Sequence, residues 1–251
     1  ETTMKILSTT LLSVLSTFVV VNSQQMKAPK AKKIEHNHTA LGDLRIDNYY
    51  WLRERENPEV IEYLTAENKY TAVMMKDTEE FQQKLFWEIR SKIKEDDESV
   101  PYNYNGYWYI SRYEKDYEYP IHSRKKGSLD SEEQVMFNVN EMAKGHRFFN
   151  LIGINVSENN QLAAFGVDTL SRRIYTIQVK ELNTGKILSD KLINTTGQSV
   201  WAADNQSLFY TRKDGTLRAF QIWKHTLGNP QSDDELVFEE RDETFNTFVY
   251  K

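Results

Sequence analysis

Two hydrophobic periods divide the chain near Pro101. Ahead of it, Val60, Ile61 and Leu64, then Val73 and Met74, fall at the spacing of one helical face. Asn57 is a good N-cap for that helix and Pro58 a good first residue, because proline's missing N–H is not needed there. Glu59 favours the positive end of the helix dipole. A second helix is expected to start at Asp77 or Thr78. Phe81, Leu85, Ile89 and Ile93 recur every four residues along one stripe, and Phe86 and Trp87 widen it. Residues 34–53 read as irregular or extended, and the acidic run Glu95–Glu98 closes the helical part. After Pro101 the period drops to two. Tyr107–Tyr113 and Pro120–Arg124 read as two strands joined by a charged turn. Leu162–Gly166, Ile174–Lys180, Ser207–Arg212 and Phe220–His225 follow. Glu158-Asn159-Asn160, Asn183-Thr184-Gly185, Asp204-Asn205 and Asp214-Gly215 supply the turns between them.

Short strands at this spacing make a sandwich, a barrel or a propeller, and a weak internal repeat favours the last. Val156-Ser157-Glu158-Asn159-Asn160-Gln161-Leu162 resembles Trp201-Ala202-Ala203-Asp204-Asn205-Gln206, followed after one more residue by Leu208. The copies begin 45 positions apart (201 − 156), the length of a four-stranded propeller blade. Residues 98–251 hold three to four such blades. The alternating run Phe248–Lys251 reads as the middle of a strand, and Glu1-Thr2-Thr3 stand ahead of Met4. The expectation is a fragment: a helical arm over 24–97 and a truncated propeller over 98–251.

The first residues change the picture of compartment. Lys5 precedes an apolar stretch from Ile6 to Val21, closed by Val21-Asn22-Ser23, the layout of a secretory leader over residues 4–23. The stretch is short for a bilayer and carries Ser8, Thr9, Thr10, Ser13, Ser16 and Thr17, so no stable membrane span is expected. The protein is then secreted or periplasmic; a start at Met26 would leave it cytoplasmic. Lys27, Lys30, Lys32 and Lys33 read as a solvated arm.

Composition and candidate chemistry mostly exclude. With 32 Lys and Arg against 37 Asp and Glu, the net charge of −5 offers no basic face for nucleic acid. There is no cysteine, so disulfides, zinc thiolates and Cys nucleophiles are out. His36 and His38 lack a recognisable third metal ligand, and the run Glu95–Glu98 lacks the alternation and glycine of a calcium loop. His122 and His225 alternate with apolar neighbours and read as half-buried structural residues; His146 sits in a turn. Arg172-Arg173 reads as a salt-bridge pair ahead of substrate binding. None of the ten glycines brackets a serine as Gly-x-Ser-x-Gly, so no nucleophile elbow is present, and phosphate-cradling loops are missing too. No catalytic residue, metal site or cofactor is expected in this chain, and no substrate-binding residue can be named.

One resemblance is specific. Arg45-Ile46-Asp47-Asn48-Tyr49-Tyr50-Trp51-Leu52-Arg53, then Tyr63-Leu64, Glu67-Asn68 and Tyr70-Thr71, resembles the opening of the prolyl oligopeptidase family. Asn48 stands where the wider family has proline, which is similar to the oligopeptidase B branch. Asn105-Gly106-Tyr107-Trp108-Tyr109, Glu118-Tyr119-Pro120-Ile121, Arg124-Lys125-Lys126-Gly127, Arg172–Ile177 and Trp223–Gly228 also match that branch. The resemblance covers residues 27–251. It implies a helical arm that packs on an α/β-hydrolase domain and a seven-bladed propeller that gates it. The implied activity is cleavage of short peptides after Arg or Lys by a Ser-Asp-His triad in that other domain. No position here matches the triad. The competing expectations are a non-catalytic propeller that binds peptides or proteins, and a propeller glycosidase, which would need inward-facing carboxylates and no helical arm.

Overall fold

A computed structural model describes residues 26–251, in two compact units that divide between Lys92 and Ile93. The proposed leader lies outside the described residues. The first unit opens with a hairpin, β1 (His36–Ala40) and β2 (Asp43–Asp47), where extended or irregular chain was expected. Leu41 and Gly42 turn it with φ of 54° and 81°, the pair of positive values that a two-residue hairpin needs. Helix α1 (Pro58–Met75) begins as its sequence dictates: Asn57 caps it by accepting the Glu59 N–H at 2.9 Å. A 3-10 turn over Lys76–Thr78 leads into α2 (Glu79–Arg90). The helix therefore starts one to two residues later than expected. It also ends before Ile93, which leaves the helical stripe.

The second unit is built of four-stranded antiparallel blades. The first blade is β3 (Tyr102–Tyr104), β4 (Tyr107–Arg112), β5 (Ile121–Lys126) and β6 (Glu133–Asn138), in sequence order. A short helix, α3 (Val139–Ala143), leads out of it. One continuous sheet follows: β7 (Asn150–Val156), β8 (Leu162–Asp168), β9 (Tyr175–Glu181), β10 (Ile187–Trp201), β11 (Ser207–Lys213), β12 (Ala219–Thr226) and β13 (Glu235–Glu239). This sheet is two blades sharing one strand. The front of β10 pairs with β9 (Leu192 opposite Ile177) and its end pairs with β11 (Trp201 opposite Leu208). The register breaks between Thr195 and Ser199, where the chain passes from the outer edge of the second blade to the inner edge of the third. Phe248–Lys251, expected to be the middle of a strand, carry no ladder here; the tail is held instead by the Thr247 N–H donating to the Ala219 carbonyl at 2.9 Å and by Lys251 pairing with Glu158.

The core is the stack of blade faces. β8 shows it most clearly, with Ala163, Ala164 and Phe165 all fully buried. A strand alternates its side chains between two faces, so a run buried throughout must be covered on both. Ala163 and Phe165 pack toward the first blade, against Tyr109, Met136 and Phe137. Ala164 packs with Ile177 and Val179 against Trp201, Leu208 and Tyr210 of the third blade. The Phe137 and Phe165 rings meet 4.7 Å apart and tilted by 54°.

Polar bolts cross the same gaps. Asn105, Asn160 and Asn205 occupy the first turn of successive blades, all at positive φ (47°, 61° and 57°), which asparagine tolerates better than most residues. Asn105 donates to the Glu158 carbonyl at 2.7 Å, Asn160 to the Asn105 carbonyl at 3.1 Å, and the Asn159 N–H to Asn205 Oδ1 at 2.8 Å. The repeat visible in the sequence is thus a row of turns that hold one another.

Candidate functional site

The innermost strands of the three blades, β3, β7 and the end of β10, surround a cleft of about 800 Å³ together with Val249–Lys251. Its wall is largely neutral. Tyr102, Tyr104 and the Gln198 amide are exposed on it, while Asn155 is tied down by donating to the Ser199 carbonyl at 3.0 Å. One ion pair, Glu158 with Lys251, stands at the edge. Three hydroxyls in the wall, of Tyr109, Ser123 and Ser199, are buried without a hydrogen-bond partner among the described residues. Such groups are rare in folded proteins.

Two side-chain pairs on β4 and β5 follow from strand register. Tyr109 faces Arg124 across β4 and β5, and Ser111 faces His122. Arg124 is fully buried and has no carboxylate partner among the described residues. Its Nε donates to Gln134 Oε1 at 2.7 Å, its Nη2 to the Asn160 carbonyl at 2.9 Å, and its guanidinium lies 4.1 Å from the Tyr107 ring centre. The cation therefore fastens the first blade to the second. Burial pushes the Tyr109 hydroxyl pKa up, and the guanidinium beside it opposes that rise. Ser111 Oγ lies 2.8 Å from His122 Nδ1, and burial holds the His122 pKa below its ordinary value. A Ser–His pair invites a nucleophilic reading, but activation of serine needs the base oriented by a third group and a pocket for the oxyanion. Among the described residues no carboxylate is hydrogen-bonded to His122, and the pair sits in mid-ladder; the arrangement is structural.

The remaining histidines are scattered. His36 stacks on Tyr50 with ring centres 3.7 Å apart, while His146 lies 5.5 Å from Phe149. Among the described residues no cluster of His, Asp or Glu is arranged to hold a metal ion. His225 is more than half-buried: it is fully enclosed, between Asp190 and Asp234. Arg172 and Arg173 do not form the expected salt bridge. Their side chains are exposed, and it is their backbone N–H groups that bind Asp168 Oδ2, at 2.9 and 2.8 Å. The carboxylate is consumed in shaping the turn, and Lys213 donates to the Arg173 carbonyl beside it.

The family description "Prolyl oligopeptidase, N-terminal beta-propeller domain" matches residues 29–251. The chain belongs to the prolyl oligopeptidase family. It is 39% identical over 237 residues to dipeptidyl aminopeptidase BI of Pseudoxanthomonas mexicana, covering 87% of this chain and 32% of that protein. It is 35% identical to Protease 2 of Moraxella lacunata, covering 90% of this chain and 34% of that one. Among solved structures, oligopeptidase B from Leishmania major superposes with a TM-score of 0.83 at 32% identity, covering 90% of this chain and 34% of that one. The chain thus spans about a third of the length of these relatives. The family and the propeller inferred from sequence are both as expected, and the chain is the propeller region of a serine-peptidase family. Among the described residues no helix is long and apolar enough to cross a membrane.

Proposed function

We propose that this chain is the arm and first blades of a serine oligopeptidase that cleaves short peptides after Arg or Lys. The propeller would gate entry to an α/β-hydrolase domain carried elsewhere in the full-length protein. The observation that supports this best is the likeness to oligopeptidase B, a TM-score of 0.83 with 32% identity over 90% of the chain. The cleft adds to it. Its neutral wall of tyrosines and amides suits passage of a peptide, which needs hydrogen bonds along its length but no fixed charge partner.

The test is an assay of the full-length protein on N-blocked fluorogenic peptides with Arg or Lys at the cleavage site, beside unblocked dipeptide substrates. Turnover of the blocked substrates is expected, and none by the 251-residue chain alone. A full-length protein inert toward both sets would overturn the reading. Turnover of unblocked dipeptides only would favour the exopeptidase reading, which the 39% identity to a dipeptidyl aminopeptidase motivates. Export is part of the same proposal: N-terminal sequencing of the mature protein is expected to start at or near Gln24. A cytosolic product beginning at Met26 would refute it.

A further inference from the structure

The third blade is joined to the second through a buried histidine whose hydrogen bonds do not balance without an extra proton. His225, on β12, has its Nδ1 2.6 Å from Asp234 Oδ1 and its Nε2 3.1 Å from Asp190 Oδ1. All three side chains are 5% exposed or less. Asp190 lies on the front half of β10, the outer edge of the second blade, and Asp234 lies just ahead of β13 in the third. The ring therefore spans two blades. The remaining carboxylate contacts are all with donors: the Gly228 N–H reaches Asp190 Oδ1 at 2.6 Å and the Tyr210 hydroxyl reaches Asp234 Oδ2 at 2.6 Å.

A neutral imidazole has one N–H and one bare nitrogen, and an ionised carboxylate only accepts. A neutral ring between two ionised carboxylates would set one lone pair against another in a buried site. The contact is made only if the trio carries one more proton, on the ring or on a carboxyl. We propose that His225, Asp190 and Asp234 hold this proton as a structural ligand that bolts the second blade to the third, and that the bolt loosens as pH rises.

The other titratable and charged groups facing the trio do not supply the proton. From β11, burial first and the bond to Asp234 second push the Tyr210 hydroxyl up to about 12, so it stays a donor and stays neutral. Arg212, also on β11, reaches the network through that hydroxyl, at 3.0 Å, with its guanidinium over the Trp223 ring. Gln231, from the turn before Asp234, donates to the same hydroxyl at 3.2 Å and carries no charge.

In an opened chain a histidine loses its second proton near pH 6.5 and both carboxyls are ionised well below that. Above that pH the closed blade binds one proton more than the opened one. Closure is therefore favoured at lower pH, and the opening constant should rise roughly tenfold per pH unit until the closed trio also gives up its proton.

The experiment is hydrogen exchange on the full-length protein, followed by mass spectrometry over segment 219–234 between pH 7 and 9, corrected for the intrinsic pH dependence of exchange. Wild type is expected to show the tenfold slope. Asp234→Asn should stay protected and lose the slope: its amide can donate to Nδ1 of a neutral ring while its oxygen still accepts from Tyr210. Tyr210→Phe removes a hydroxyl without changing the proton count, and should keep the slope at a higher level of opening. A flat wild-type profile, or a slope that persists in Asp234→Asn, would overturn the proposal. Should Asp234→Asn unfold the blade, the wild-type slope alone decides.

Discussion

Gly166→Ala is expected to abolish cooperative folding of the propeller unit or to weaken it severely. Gly166 lies in β8 where β10 crosses from one blade to the next, and a Cβ built on it would stand 2.4 Å from the Gly197 carbonyl oxygen and 2.5 Å from the Gly197 Cα. Both are backbone atoms, so no rotamer change relieves the clash. Gly197 cannot retreat either. Its φ is +87°, its N–H is held by Thr195 Oγ1 at 3.0 Å, and that hydroxyl donates to the Tyr175 carbonyl at 3.0 Å. Forcing one methyl group into a packed core costs about 1–3 kcal/mol when side chains can adjust. Here the backbone of the strand shared by two blades must move, so the cost should reach ~3 kcal/mol or more. Gly215→Ala is the matched control, since its Cβ would meet nothing within 4 Å and its φ is not in the left-handed region. Denaturant melts of the full-length protein should leave Gly215→Ala within ~0.5 kcal/mol of wild type. Equal melts for the two variants would refute the account of β10 as a pinned crossover.

The same crossover explains what the sequence hid. Helix α1 was legible because its cap and its apolar spacing are local. β8, β9, β11 and β12 were legible because a blade buried on both sides imposes apolar runs or strict alternation. β10 gives no such signal: it changes blades part-way, so residues with opposite surroundings share one strand, and Ser189, Asp190, Asn194 and Thr195 interrupt any period. The β1–β2 hairpin was missed for a different reason. His36-Asn37-His38-Thr39-Ala40 has almost no apolar content, and the hairpin rests on its turn. The propeller itself was legible through turns that repeat because they touch. The His225 site was not. Asp190 and His225 are 35 residues apart, and only the shared strand brings the second blade's edge under the third blade's histidine. The Arg172-Arg173 misreading has the same origin: Asp168, on the preceding strand, satisfies backbone rather than guanidinium.

The chain produced by itself, residues 24–251, is expected to self-associate. The helical unit keeps little of its apolar surface for itself. Of its large hydrophobic side chains, Trp51 and Val60 are buried, while Phe81 stays 65% exposed and Trp87 58%. Leu85, Phe86 and Ile89 lie exposed along the same helix, α2, so among the described residues of its own unit nothing covers the stripe that the sequence announced. An apolar stripe of roughly several hundred Å² rivals the largest that monomers ordinarily leave open, and such surfaces promote association. At roughly 25 cal/mol per Å², covering it is worth on the order of 10 kcal/mol. That is comparable to the whole stability of an ordinary domain, about 5–15 kcal/mol. A second copy is the nearest source of such cover at the concentrations used for purification. Size-exclusion chromatography with light scattering should therefore show multimers or aggregate. The double variant Leu85→Lys with Trp87→Lys should shift the chain toward monomer without loss of helix by circular dichroism, because both positions face outward and lysine is a good helix former. A sharp monomer peak with a cooperative melt for the unmodified chain would mean that the stripe is satisfied within the chain itself, and that the exposure of α2 is not its state in solution.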